Sequence, residues 1–140
     1  MNEYSKQEIS ELLHRTAYLV DQKDLAGLAG CFHEDATFHI EIAGVEQVSK
    51  YSGHSQIMQL MQGTMNAQSH VGRHVISNVW YESVEDDRAT VVSYMILAAT
   101  ANGETKVLTT GVYRDDVVKA VDDDGGWVLM NRFLHLDSSP

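Results

Sequence analysis

The stretch ATVVSYMILAATANGETKVLTTGVY, residues 89–113, decides the fold. Apolar and β-branched residues fill its two halves, residues 89–101 and residues 105–113, which predicts two β-strands. Asn102-Gly103 lies between the halves, and this dipeptide is typical of a two-residue turn because both of its residues tolerate positive φ. The stretch therefore predicts a long antiparallel hairpin.

Further strand patterns lie on both sides of this hairpin. Residues 74–82 precede it and residues 127–136 follow it. Acidic and glycine-rich segments, residues 85–87 and 122–126, separate them from the hairpin and predict turns. Four strands in succession, linked by short turns, are typical of an antiparallel sheet.

The first helix pattern covers residues 5–21. Apolar residues recur there at helical spacing from Ile9 to Val20. Ser5, followed three residues later by Glu8, predicts a capping box at the start of this helix.

The chain between this helix and the four strand patterns contains further helix, strand and loop patterns. Asp24 predicts the N-cap of a short second helix. Residues 36–42 predict a strand, residues 44–53 a loop and residues 55–66 a third helix. Helices before a run of strands predict an α+β fold, in which a curved antiparallel or mixed sheet wraps around the N-terminal helices.

Length and charge limit the possible functions. The chain has 140 residues, a usual size for one domain, so residues 1–140 are expected to form a single unit. The formal net charge is −10 and the basic residues are scattered, which argues against a nucleic-acid-binding surface. Apolar runs are too short to predict a membrane span.

Cys31 is the only cysteine of the sequence. A lone cysteine cannot form an internal disulfide and suits a reducing compartment. The N-terminus, MNEYSKQEIS, has no signal-peptide pattern. These features predict a cytoplasmic protein in which Cys31 has a packing role.

Asp21 and His74 are the first candidates for catalysis. Asp21 falls at the end of the first predicted helix, where the helix dipole disfavours a carboxylate. His74 begins a strand pattern among apolar neighbours, and a half-buried histidine is a common general base because its pKa lies near neutral pH. The alternatives are an exposed helix-end carboxylate and a hydrogen-bonded structural histidine.

His70 and His74 are four residues apart, which on a helix would suggest a metal-binding pair. On a strand the same spacing spans about 13 Å, too far for one zinc ion to bridge. No cysteine cluster or His-Glu-x-x-His stretch is present. The sequence therefore predicts no metal site.

Arg132 alternates with Val128, Met130 and Leu134, and a cation on such an apolar strand face must be paired or face a cavity.

Two segments carry a resemblance to a known family. The run from Ala17 to Leu28, together with Cys31-Phe32-His33-Glu34-Asp35-Ala36-Thr37-Phe38, resembles the N-terminal signature of SnoaL-like proteins in the NTF2-like superfamily. Thr110-Gly111-Val112-Tyr113, Asp124-Gly125-Gly126-Trp127 and Arg132 are similar to the C-terminal hairpin of the family. The resemblance spans nearly the whole chain and implies a cone-shaped fold with one internal pocket.

Within that superfamily the chain resembles scytalone dehydratase and hexachlorocyclohexane dehydrochlorinase. Asp21 and His74 match the catalytic Asp and His positions of both enzymes. Phe38 and Arg132 fall where the dehydrochlorinase has an aromatic residue and a functional arginine. The stretch from His74 to Trp80 resembles the dehydratase, so Phe38, Trp80 and Arg132 are expected to contact substrate.

One departure bears on the substrate. Val20 stands where the dehydratase has a catalytic tyrosine, which puts scytalone itself in doubt as a substrate.

The resemblance implies a lyase or isomerase that needs no cofactor and acts on a cyclic or polyketide-like small molecule. His74 would be the general base and Asp21 would fix its tautomer. A non-catalytic ligand-binding or assembly domain, including a partner similar to a dioxygenase β subunit, is the alternative.

A homo-oligomer, either a trimer or a dimer, is expected through the outer face of the sheet. Residues 89–101 predict apolar side chains on both faces of one strand: Val91, Met95 and Leu97 on one, and Val92, Tyr94 and Ile96 on the other. One face can line the cone, and the other requires cover.

Overall fold

A computed structural model describes residues 2–120 and 126–140, and over these residues the chain forms three helices and six strands. In chain order they are α1 (Glu3–Asp21), α2 (Leu25–Ala29), β1 (Phe32–Ile42), β2 (Ser49–Ser52), α3 (His54–Ala67), β3 (Val71–Val84), β4 (Arg88–Ala101), β5 (Glu104–Lys119) and β6 (Trp127–Leu136).

The strands form one curved, unclosed sheet in the order β2-β1-β6-β5-β4-β3. Strand β1 pairs in parallel with β6, and the other neighbouring strands pair antiparallel. Helix α1 packs against β3 and β6, and α3 packs against β1 and β2. The predicted α+β fold, a mixed sheet wrapped around helices, is confirmed.

The central hairpin forms as predicted. Asn102 and Gly103 have φ values of 54° and 77°, and Ala101 pairs with Glu104 across the turn. Positive φ at both turn residues matches the twist of the two strands and holds them in register. Strand β5 continues to Lys119, six residues beyond the predicted end at Tyr113. Over these six residues the buried Asp115 and Val117 still alternate with less buried positions, as in the rest of the strand.

Of the two predicted helix caps, the structure confirms the one at α2 and differs at α1. The predicted capping box at Ser5 is wrong, because α1 begins at Glu3, two residues before the predicted start, and Asn2 is its N-cap. The Asn2 side chain accepts a hydrogen bond of 2.9 Å from the backbone N–H of Ser5. Asp24 caps α2 as predicted, accepting a bond of 2.9 Å from the N–H of Gly27.

The segment predicted as a loop contains strand β2, which pairs antiparallel with β1. This edge strand is short and polar, so it carries no apolar alternation that the sequence could reveal. Of the turn predicted over residues 122–126, residues 122–125 lie outside the described part of the chain.

The core lies between the helices and the concave face of the sheet. Ile9, Leu12 and Leu13 of α1 are at most 1% exposed and belong to one cluster with residues of the sheet such as Met95 and Leu129. Cys31 is buried in the same cluster, in keeping with a packing role. The cluster does not fill the cone, and the remaining space is the candidate site.

Candidate active site

A cavity of about 390 Å³ lies between the helices and the concave face of the sheet. Its wall is largely aliphatic and aromatic, with a few polar side chains. This size and lining are usual for a site that binds a small organic molecule. The polar side chains in the wall are therefore the groups that could take part in a reaction with a bound molecule.

Asp21 and His74 meet at this cavity. The Nδ1 atom of His74 lies 2.6 Å from Oδ1 of Asp21, and the backbone N–H of His74 donates to Oδ2 at 2.9 Å. The two side chains are only 8% and 15% exposed, respectively. Asp21 is thus neither an exposed helix-end group nor distant from His74.

Two elements produce this contact. Asp21 is the last residue of α1, and His74 is the fourth residue of β3, against which α1 packs. A carboxylate is unfavourable at a helix C-terminus, so its position is explained by the two hydrogen bonds from the neighbouring strand.

The contact also sets the tautomer of the histidine. A carboxylate only accepts hydrogen bonds, so the proton of a neutral His74 must lie on Nδ1. The other ring nitrogen, Nε2, then carries a lone pair, and His74 belongs to the cavity wall. This is the arrangement of a general base with an orienting carboxylate.

Arg132 lies in the same wall as part of a buried ion pair. Its Nε and Nη2 donate to the two carboxylate oxygens of Asp115 at 2.9 and 3.3 Å. The residues are 5% and 0% exposed. Burial alone lowers the pKa of Arg132, but the Asp115 carboxylate more than offsets this and raises the pKa above its ordinary value. The guanidinium therefore stays charged.

Tyr113 stacks on this cation. The Cζ atom of Arg132 lies 3.8 Å from the centre of the Tyr113 ring, which is a cation–π contact. Burial raises the pKa of the Tyr113 phenol, and the Arg132 cation opposes that effect only in part. The cavity therefore offers a neutral phenol beside a guanidinium whose Nη1 is not used by Asp115.

Arg132 shares its face of β6 with Leu134, as predicted, but not with Val128 and Met130. Arg132 and Leu134 are buried, whereas Val128 and Met130 are only half-buried. The register between β5 and β6 shifts between Asn131 and Leu129, which adds one residue at Met130 and reverses the alternation.

Phe38 and Trp80 have opposite placements. Phe38 is 3% exposed and lines the cavity. Trp80 is 57% exposed and lies on the outer face of the sheet, so the expectation that it contacts substrate is wrong. The pairing of β3 with β4 is irregular between Ser77 and Trp80, and Asn78 has φ of 54°. This bulge turns Trp80 away from the cone.

The sequence comparison identifies the family. The SnoaL-like domain matches residues 4–132. The chain belongs to the SnoaL-like family. No curated protein matches it significantly.

Solved structures from Novosphingobium aromaticivorans share the fold of this SnoaL-like chain. The "beta subunit of a putative aromatic-ring-hydroxylating dioxygenase" is 18% identical, with a TM-score of 0.83 over 99% of this chain and 92% of that one. An NTF2-like protein with a cystatin-like fold is 22% identical (TM-score 0.77, 94% and 80% covered). A "Putative Scytalone Dehydratase" is also 22% identical (TM-score 0.76, 95% and 84% covered).

Sequence reasoning missed part of the site of this SnoaL-like protein. Asp115 and Tyr113 alternate with exposed residues along β5, but the predicted strand ended before Asp115. The signal that could have found Asp115 is the need of Arg132 for a buried counterion.

In residues 2–120 and 126–140, no group of three or more His, Cys, Asp or Glu side chains is placed to hold a metal ion. No helix in this part of the chain is long and apolar enough to cross a membrane.

Proposed function

We propose that this protein is a cofactor-independent lyase or isomerase of the dehydratase type, acting on a cyclic or polyketide-like molecule in the cone. His74 is the general base, Asp21 positions it, and Arg132 and Phe38 contact the substrate. The observation that carries the proposal is the Asp21–His74 pair in the wall of an otherwise apolar cavity.

The reaction begins at His74. Its Nε2 takes a proton from a carbon next to a carbonyl group, and the Asp21 carboxylate stabilises the imidazolium that forms. The electron pair of the broken C–H bond either forms a double bond as the leaving group departs or returns to another carbon with a proton. General-base catalysis of this kind contributes about 10²–10⁴-fold to the rate.

Arg132 and Tyr113 support the negative charge that develops on the substrate carbonyl. Arg132 is already buried and paired with Asp115 before a substrate binds, so substrate binding removes little further water from the cation. The Nη1 atom of Arg132 is not used by that pair. Donors held in place before the reaction stabilise a developing oxyanion better than water does. Phe38 provides a flat apolar surface at the cavity wall, which suits a ring-shaped substrate.

A panel of cyclic hydroxy-ketones and halogenated rings tests the proposal. The wild type is expected to convert at least one member, and His74→Ala is expected to abolish this conversion while ligand affinity changes little, because a general base acts on the transition state. Equal rates for the wild type and His74→Ala would contradict it.

A non-catalytic ligand-binding or assembly domain is the second candidate. The likeness to a dioxygenase β subunit, with a TM-score of 0.83, favours it. In this case Asp21–His74 is a structural pair that ties α1 to β3. Ligand binding in the cone without turnover of any panel member would support this candidate over the enzyme.

We also propose that the chain acts as a single-domain homo-oligomer, a dimer or trimer, in the cytoplasm. Large apolar side chains are exposed on the outer face of β3 and β4, where Val75, Trp80, Tyr94 and Ile96 are 39–57% exposed. A patch of this kind is usual at interfaces between subunits. The lone buried cysteine agrees with a reducing compartment.

A further inference from the structure

The charged side chains around the cavity leave one negative charge unbalanced. Arg132 is the only lysine or arginine among the described residues of the wall, and it donates two hydrogen bonds to Asp115. These two residues are almost fully buried and form a neutral pair. Asp21 is the remaining ion, and its Oδ1 lies 2.6 Å from Nδ1 of His74. While His74 is neutral, the site therefore carries the net negative charge of Asp21.

The other titratable side chains that face His74 add no charge. Tyr113 stays protonated, because burial raises the pKa of its phenol. Among the described residues, the buried Nε2 of His70 has no partner, and an imidazolium there would be unsupported. Helix α3 and strand β4, which are described throughout, contribute no titratable side chain to the wall. Lys23 follows α1 but is exposed, so water screens its charge.

The free donors of the cavity suit an uncharged oxygen. Neither Nη1 of Arg132 nor the phenol oxygen of Tyr113 has a hydrogen-bond partner in the described chain, and neither is among its fully enclosed side-chain atoms without a partner. Both residues line the cavity, so these atoms are open to it. A carbonyl oxygen can accept hydrogen bonds from them, whereas a carboxylate would bring a second negative charge towards Asp21 in a site of low dielectric.

We propose that the cavity selects uncharged carbonyl compounds and admits an anion only together with a proton on His74; as a statement about the substrate class, this inference rests on the proposed function. The proton comes from solvent and binds to Nε2, because Nδ1–H is held by Asp21. The imidazolium then cancels the charge of Asp21 and attracts the anion.

The same relation holds during the proposed reaction. Negative charge reaches the substrate oxygen only as His74 takes the proton from carbon, so the oxyanion forms in the one charge state of the site that accepts it. A substrate that already carries a carboxylate would enter the other charge state, in which Asp21 repels it. Compounds with a free carboxylate are therefore excluded at neutral and alkaline pH.

Two probes, 2-naphthoate and 2-naphthamide, share one ring system and differ mainly in charge. Isothermal titration calorimetry in buffers of different ionisation enthalpy counts the protons taken up on binding. At about pH 8, above the usual range of histidine titration, naphthoate is expected to bind with uptake of about one proton and naphthamide with none. Above this pH the Kd of naphthoate should rise about tenfold per pH unit, and the Kd of naphthamide less than about twofold.

Two variants assign the effect to the pair. In Asp21→Asn the site is neutral without an added proton, so naphthoate should bind without proton uptake. In His74→Gln the charge of Asp21 cannot be cancelled, so at about pH 6 naphthoate should bind at least about tenfold more weakly than to the wild type, and naphthamide should change less than about threefold. Glu11→Asn, on the exposed side of α1, is the control and should match the wild type.

Binding of naphthoate without proton uptake, or equal affinity for the two probes at about pH 8, would overturn the inference. It would also be overturned if naphthamide did not bind to the wild type, or if naphthoate did not bind at about pH 6. Turnover of the cyclic hydroxy-ketones and halogenated rings is measured separately. A protein that takes up a proton with naphthoate but converts none of them retains the charge selection and loses the proposed function.

Discussion

The carboxylate of Asp21 accepts two hydrogen bonds from His74, one from the backbone N–H at 2.9 Å and one at Nδ1 at 2.6 Å. The first holds the strand against the end of α1, and the second orients the ring. One side chain thus joins α1 to β3 through two residues that are 53 positions apart in sequence, and it joins them at the cavity.

The charge of Asp21 can be tested without changing its shape. In Asp21→Asn an amide replaces the carboxylate, so it can favour the wrong histidine tautomer and no longer stabilises the imidazolium. We expect kcat for any substrate found to fall by about 10²–10⁴-fold, measured under saturating substrate.

Glu11→Asn, a similar loss of charge on the exposed side of α1, is the control and should keep the wild-type rate. A wild-type rate in Asp21→Asn would show that the pair has no role in turnover.

The buried pair of Arg132 and Asp115 is expected to be important for stability. Asp115→Asn leaves the guanidinium buried without a counterion, so the free energy of unfolding should fall by about 3–5 kcal/mol. Urea denaturation monitored by circular dichroism measures the change.

Two comparisons make this prediction specific. Glu82→Gln removes the partner of Arg114 in an exposed pair, and the loss there should be below about 1 kcal/mol. Replacing both buried partners, as Asp115→Leu with Arg132→Met, should cost less than the sum of the two single changes. Equal effects at the buried and exposed pairs would refute the prediction.

Tyr113 should make the fold sensitive to alkaline pH. Its pKa is raised by burial, so between the ordinary tyrosine value of about 10 and the folded value the native state keeps a proton that the unfolded state has lost. The unfolded state then binds fewer protons, and stability falls as pH rises above about 10.

Urea unfolding at a series of alkaline pH values measures this dependence. Tyr113→Phe should flatten it, whereas Tyr18→Phe, at a side chain that is 61% exposed, should not. Tyr81, whose pKa is also raised by burial, contributes in the same direction and remains in both variants. An unchanged slope in Tyr113→Phe would mean that its phenol does not titrate differently in the two states.

The outer face of the sheet should hold the oligomer together. Trp80→Ser with Ile96→Ser removes two large apolar side chains from this face, and we expect the assembly to dissociate to monomers. Light scattering coupled to size-exclusion chromatography reports the mass. Val45→Ser, at an exposed valine after β1, is the control. A wild-type chain that is monomeric at high micromolar concentration would contradict the prediction at once.

The amino-acid sequence by itself determined the features that depend on neighbouring residues. The hairpin at Asn102-Gly103 and the cap at Asp24 follow from local backbone preferences, and the helix and strand classes follow from apolar periodicity. Asp21 could be noticed because it violates a local rule at a helix end.

Only the tertiary structure decided which side chains enter the cone. The bulge at Asn78 turns Trp80 outward, and the irregularity at Met130 places Arg132 on the inner face, opposite Asp115. Each extra residue reverses a period-two pattern, and its position depends on pairing with a distant strand. The local sequence does not specify that pairing, so the buried ion pair could be recognised only in the folded chain.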